Sequence, residues 1–520
     1  MFNIIREKYK FFLLITLLVI MCSTFLSYDK TFQADSETLV TGPLRAREIQ
    51  ADMGTYPLGR YIAVDGKMMD YSRKEISEEW KDGYSSDEAA FIISNNKFTK
   101  EFIKKLAIIK DKNGNEFIVD NVVFAGDYIR INLTSNVRLK KDENGDITEL
   151  QYFDTNGMRL PAGKVSDYKS QFGLQGIMFN HIAPKGMSYK TVRNLARGAC
   201  IVLLAVVLIM ICYLVGIKYN WWLSGVFFAT FCTSPWIVNF APNLYWVEFT
   251  WFIPMLIGLA VSVTNMNCKY RVLAYLGALI AITVKCLCGY EYISTIIIGM
   301  LMFPLVEGMA SWRNGDVVRA KKCFRLTFGL CVVGVMGFII ALAMHGYMRG
   351  MGDIAVGLQD IYQKDVLRRT WGGDAANYAV YGEAGMAAIS KSLSASAFTV
   401  MAKYLMFKTT IVLGIPGFMF ILFALSPLFI KWYYQKHSMI LPWNHEVWAL
   451  YILGFIATTS WLMLAKAHSY IHTHMNYVLW YFGFVQVCLY CVVMMLKDRI
   501  IYFIKYYGGI SKVWQERLGK

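Results

Sequence analysis

Residues 29–195 contain no cysteine. All eleven, at 22, 200, 212, 232, 268, 286, 288, 323, 331, 488 and 491, lie in or beside apolar segments. The polar stretch is therefore no disulfide scaffold. Cys286-x-Cys288 is too closely spaced for a pair of zinc ligands and has no second pair, so it reads as packing. Also missing are the Gly-x-x-x-x-Gly-Lys-[Ser/Thr] phosphate loop, a dinucleotide fingerprint and a His-Glu-x-x-His helix. Energy for any reaction then arrives with the substrate or from a gradient. Charge is scarce: 17% of the 520 residues are charged against 56% hydrophobic, which excludes an ordinary soluble globular protein.

What is present is a polytopic membrane chain. Phe11 to Leu26 form an apolar run behind Arg6, Lys8 and Lys10. It reads as an uncleaved anchor, because no small-x-small cleavage site follows, and Val19-Ile20-Met21-Cys22 lacks the small residues that precede a lipidated cysteine. A hydrophilic stretch of about 165 residues comes next, long enough for a small domain. Within it, Ser36 to Asp52 has helical character until Thr55-Tyr56-Pro57, and Asp111 to Asn115 reads as a hairpin turn. Phe117 to Phe124, Tyr128 to Leu133 and Leu150 to Phe153 read as strands of a small, mainly antiparallel β domain. Asn132-Leu133-Thr134 matches a glycosylation acceptor, but it falls in one of those strands.

From Ala196 the chain is almost wholly apolar. Spans are expected near 196–217, 220–239, 244–264, 271–289, 292–308, 324–347, 402–430, 447–465 and 475–496, which with the anchor makes about ten transmembrane helices. The expected organisation is an anchor at 1–27, a β-rich extracytoplasmic region at 28–195, and a polytopic domain at 196–496 with a long outer loop at 348–400. A basic interfacial tail at 497–520 completes it.

The net charge of +16 follows from basic residues where loops leave the membrane, so nucleic acid is not an expected partner. With both termini cytoplasmic, Lys269, Arg271, Arg313, Arg319, Lys321, Lys322, Arg325, Lys431 and Lys436 all fall inside, as expected for a bacterial-type inner membrane. Arg193 and Arg197 break the pattern, but they belong to a long translocated segment where the rule is weaker.

That orientation puts the unusual residues on the outer face and leaves no comparable set inside. Asp35 and Glu37 flank Ser36 just beyond the anchor, where Asp35 or Ser36 would also serve as an N-cap. Gln171, Asn243, Trp246, Glu248, Lys285 and Glu291 are candidates for a substrate cavity. A carboxylate one turn into a span must find a cation, a proton or water. Lys285 and Glu291 have the structural alternative of pairing with each other, and Trp246 that of an interface aromatic. Arg368 and Arg369, beside Thr370 and two glycines, suit a diphosphate grip or else are solvated loop charges. Lys466, His468, His472 and His474 form a cationic set suited to a phosphate or lipid headgroup. The helical spacing of His468 and His472 also invites a metal, but no cysteine or carboxylate lies beside them.

Together these features resemble the C-type superfamily of polytopic membrane glycosyltransferases. The resemblance rests on the carboxylate position after the first helix, the juxtamembrane stretches 36–52 and 167–185, Asn243-Leu-Tyr-Trp246, and the late basic residues. It implies transfer of a sugar from a polyprenyl-phosphate carrier to a glycan, lipid or protein acceptor in the cell envelope. Asp35 or Glu37 would be the catalytic carboxylate, and Arg368, Arg369, Lys466, His468 and His472 would hold the donor phosphate. The chain departs from the pattern in its inserted β-rich region and in having Asp-x-Glu rather than an adjacent acidic pair, so Asp52 and Asp167 stay open as alternatives. A divalent cation is compatible with this chemistry but is not demanded, and no metal ligands are assigned. The competing readings are a lipid-linked glycan transporter or flippase and a non-enzymatic envelope polysaccharide assembly protein.

Overall fold

The computed structural model describes residues 2–28, 34–48, 62–65, 90–95, 97–110, 114–125, 128–134, 151–161, 164–182, 187–264, 268–371, 373, 382–406, 411–412, 415–473 and 475–518. Asp52 and His474 lie outside them, as do the side chains of Asp35 and Asp167. The chain divides into two compact units: Ala34–Lys169 with Gly173–Leu195, and Met1–Gln33 with Ser170–Phe172 and Ala196–Lys520.

The smaller unit holds a six-stranded antiparallel sheet. Its order is Ala90–Ser94, Tyr128–Leu133, Glu116–Ala125, Ile108–Lys110, Gln151–Phe153, Arg159–Leu160. The hairpin expected around residues 111–115 is present, with Lys110 opposite Glu116 and Gly114 at φ +83°. Phe102, Ile103, Leu106, Ile109, Phe117, Ile129, Ile131 and Tyr152 form its core, where Phe102 and Tyr152 meet edge to face at 5.4 Å. Asn132 lies in a strand and its amide donates to Asn121. The helix Ala34–Glu48 begins before Asp35 and Ser36, so both lie inside its first turn rather than at the N-cap. Glu37 is buried.

The larger unit is a bundle of apolar helices. Among the described residues six helices are long and apolar enough to cross a membrane: Lys190–Lys218, Lys269–Cys288, Ile293–Arg313, Val317–Arg349, Phe418–Lys436 and His445–Leu464. Several expected spans have other bounds, each for a local reason. The 220–239 segment stops at Thr233, because Ser234 caps a new short helix that starts with Pro235. In 244–264 the Asn243 side chain accepts from the Tyr245 and Trp246 N–H groups, and the helix begins only at Phe249. The 402–430 stretch comprises the end of Ala397–Met406, a two-residue ladder joining Ile411–Val412 to Ile415–Pro416, and the helix from Gly417. Asn476–Tyr481 is a 3-10 turn, and one helix then runs unbroken over Phe484–Leu518 with no boundary at 496. The expected outer loop is likewise folded, with helices at Ile354–Ile361, Gly382–Ser394 and Ala397–Met406.

Close backbone approach sets the packing. A Cβ on Gly258 would lie 1.8 Å from the Met300 carbonyl oxygen, so only glycine lets Phe249–Val263 rest against Ile293–Arg313. Alternation of successive helices brings the start of Phe249–Val263, the end of Cys268–Cys288, the start of Ile293–Arg313 and the end of Val317–Arg349 to one end of the bundle. His445–Leu464 ends there as well, since Trp461 packs on Tyr292 at 5.6 Å.

Candidate functional site

Two clusters occupy that end. In the first, Tyr292 is fully buried and left-handed at φ +66°, and it precedes the helix Ile293–Arg313. Its ring lies nearly parallel to Trp246, with centroids 6.2 Å apart, and meets Trp251 edge-on at 5.0 Å. Its hydroxyl donates to Asn476 Oδ1 at 2.9 Å, and Asn476 Nδ2 donates to the Tyr404 hydroxyl at 2.8 Å. Glu248 is fully buried, and neither carboxylate oxygen has a hydrogen-bond partner among the described residues.

Lys285 and Glu291 both brace the adjoining turn. Lys285 Nζ donates to the Gly289 carbonyl at 2.5 Å, and Glu291 Oε1 accepts from Gln171 Nε2 at 2.7 Å. A Cβ on Gly289 would lie 2.5 Å from Glu291 Oε2, so a larger residue there would displace the Glu291 side chain. Asn243 is a turn-former whose side-chain oxygen is taken by two backbone N–H groups.

The second cluster is cationic. Arg349 ends the helix Val317–Arg349 and pairs with Asp365, which sits in the π-helical turn Tyr362–Val366. Arg368 and Arg369 face the same carboxylate at 3.7 and 3.6 Å. Arg349 also reaches Asp360 at 2.5 Å, and Asp360 in turn pairs with Lys364. Partial burial opposes ionisation of Asp360, but hydrogen bonds from Lys364 and Arg349 hold it below the usual carboxylate range.

His468 packs against His472 with ring centroids 4.5 Å apart and against Trp461 at 6.2 Å. Burial, reinforced by the charges of His472, Arg369 and Arg368, holds its imidazole well below the usual range, so it is neutral at pH 7. Arg368, Arg369, His468 and His472 are therefore brought together, with the Trp461 ring joining them to Tyr292. Lys466 is spent differently from the expectation. Its ammonium donates to the Leu393 and Ala395 carbonyls, both at 2.6 Å, and lies 4.5 Å from the centre of the Trp371 ring. Burial lowers its pKa.

Asp35 and Glu37 belong to the smaller unit. Arg349 and Asp365 were not singled out from the sequence, although an arginine at a helix C-terminus is itself a signal. Missed too was a polar cluster at the opposite end of the bundle, where Glu307 pairs with Lys218 and with Arg319, the latter at 2.6 Å. Among the described residues no three of His, Cys, Asp and Glu gather as a metal site. No protein-family model matches the chain, and neither a curated protein nor a solved structure does.

Proposed function

We propose that the chain is an integral membrane glycosyltransferase that moves a sugar from a polyprenyl-phosphate carrier to a glycan, lipid or protein acceptor of the cell envelope. The observation that carries this reading is the gathering of Arg349, Arg368, Arg369, His468 and His472 at one end of a bundle of membrane-length helices. In a displacement at the anomeric carbon, negative charge collects on the departing lipid phosphate. Preorganised guanidiniums in a poorly solvated site are suited to stabilise it. Arg349, Arg368 and Arg369 meet around Asp365, and Arg349 and Lys364 pair with Asp360, so the cluster sets four basic side chains against two carboxylates. The acceptor hydroxyl loses its proton to a carboxylate, worth about 10²–10⁴-fold as general base catalysis. Asp35 and Glu37 are the residues that the family resemblance assigns to this role. The cationic end is taken to face outward, with both termini cytoplasmic, as the distribution of lysine and arginine supports.

The ion-paired group of Lys218, Glu307 and Arg319 at the opposite end favours a second reading, a lipid-linked glycan transporter closed on that side. One experiment separates the two. The full chain is reconstituted with labelled polyprenyl-phosphate sugars and crude envelope acceptors, and both covalent transfer and movement of label across the bilayer are followed. Transfer is expected, with a loss of at least tenfold in Arg368→Gln and in whichever of Asp35→Asn and Glu37→Gln removes the base. Movement of label without transfer for any donor overturns the enzyme reading.

A further inference from the structure

Glu248 occupies a position where a carboxylate is costly to keep. It is fully buried with both oxygens unpartnered among the described residues, whereas buried carboxylates normally hold a cation or several donors. The backbone around it is strained. Val247, a β-branched residue, lies at φ +39°, and Tyr292 lies at φ +66°. Such strain persists only where the surrounding structure over-determines it, and it concentrates at ligand sites. On the other side of the Glu291–Tyr292 turn, Gln171 is buried, and its Oε1 also has no partner among the described residues. The unsatisfied atoms of Glu248 and Gln171 are all hydrogen-bond acceptors.

The aromatic surroundings favour one kind of donor. Trp246, Trp251 and Tyr292 pack mutually at centroid distances of 5.0–6.2 Å. Their π faces attract cations, and a carboxylate within such a ring cluster supplies the counter-charge. The nearby cation is already committed, since Lys285 donates to the Gly289 carbonyl.

We propose that Glu248, with the rings of Trp246, Trp251 and Tyr292, forms a recognition site for a primary ammonium group, carried by an amino sugar or by an amine-bearing lipid headgroup. A primary ammonium brings three N–H donors and one positive charge. The unpartnered atoms of Glu248 are its two carboxylate oxygens, both acceptors that such donors would satisfy. A neutral sugar ring supplies hydroxyl donors but leaves the carboxylate uncompensated. A metal ion fits less well, because no third carboxylate, histidine or cysteine joins Glu248 and Glu291 among the described residues. Trp246 is the one ring of the three that is partly exposed, so displacement of its indole is the route to the carboxylate. The site does not depend on the transfer chemistry proposed above.

Its test is a binding measurement without any donor lipid, so that loss of transfer activity and loss of this site are read separately. The full chain is placed in phosphatidylglycerol nanodiscs, and tryptophan fluorescence is followed against glucosamine, with glucose as the neutral control. Saturable quenching by glucosamine and none by glucose is expected. Affinity should fall at least tenfold in Glu248→Gln and in Trp246→Leu, and Glu248→Asp should retain part of it. Should Glu248→Gln fail to fold, Trp246→Leu, altered at the partly exposed ring, carries the comparison. Competition by phosphatidylethanolamine built into the discs assigns the ammonium to a lipid headgroup, and undiminished glucosamine binding assigns it to a sugar. Equal responses to glucose and glucosamine, or unchanged affinity in the folded variants, overturn the proposal.

Discussion

Arg349, the last residue of the helix Val317–Arg349, is ion-paired with Asp365, and both side chains are almost wholly buried, at 4% and 5% exposure. This pair ties the end of a membrane-length helix to the π-helical turn that carries Arg368 and Arg369 into the cationic cluster. Breaking a buried pair costs up to about 3–5 kcal/mol, and here the remaining contacts of Arg349 with Asp360 and of Asp365 with Arg368 and Arg369 offset part of it. Arg349→Gln and Asp365→Asn should each lower the melting temperature of the solubilised protein markedly. The double variant should lose less than the two single losses combined. Strict additivity in that cycle would show that the pair does not act as a unit.

Lys466 and Arg368 should separate when substituted. Lys466 holds two backbone carbonyls from the helix Gly382–Ser394 and the residue just beyond it, so Lys466→Met should destabilise the fold by roughly 1–3 kcal/mol. Arg368→Gln should weaken binding of a short-chain polyprenyl phosphate by about tenfold or more while shifting the melting temperature little. Calorimetric titration beside thermal unfolding reads both quantities, and a reversed pattern would exchange the two roles.

The pH dependence should carry the signature of His468. In the folded protein burial and the charges of His472, Arg369 and Arg368 keep its imidazole neutral well below the ordinary range, whereas in the unfolded chain it takes a proton near pH of about 6.5. The unfolded state therefore binds more protons in that window. Stability is lost as pH falls from about 6.5 toward the folded value. His468→Gln should lose less melting temperature between about pH 7 and pH 5 than the unaltered protein, and parallel curves would show that His468 contributes nothing to acid sensitivity.

Helix packing gives a sharper structural test. Gly258→Ala would drive a Cβ to 1.8 Å from the Met300 carbonyl oxygen, which is backbone and cannot swing aside. A loss of about 1–3 kcal/mol or more is expected. Gly225→Ala, whose added Cβ meets nothing within 4 Å, serves as the control. Equal melting temperatures for the two variants would mean that the approach of Phe249–Val263 to Ile293–Arg313 is looser than described.

Several readings were available from local pattern alone. The strands Glu116–Ala125, Tyr128–Leu133 and Gln151–Phe153 follow from clustered β-formers, and the hairpin at Gly114 follows from turn chemistry. The long apolar helices follow from hydropathy. Of the ten expected spans, six correspond to helices long and apolar enough to cross a membrane among the described residues, because hydropathy averages over breaks such as Ser234-Pro235 and the Asn243 turn, which leave the composition apolar while ending the helix. Lys466 was legible as a cation but not as one already bonded to carbonyls more than seventy residues away.

By itself, then, the sequence determined that this is a membrane chain with a small antiparallel β unit, since hydropathy, alternation and turn residues act over a few neighbours. Only the tertiary structure decided which polar groups meet. Gln171 reaches Glu291 across 120 residues, Asp365 collects Arg349, Arg368 and Arg369, and Glu248 is left buried with no hydrogen-bond partner among the described residues. Those outcomes depend on how helices pack in three dimensions, where a glycine at 258 or a left-handed tyrosine at 292 sets distances that no local pattern encodes.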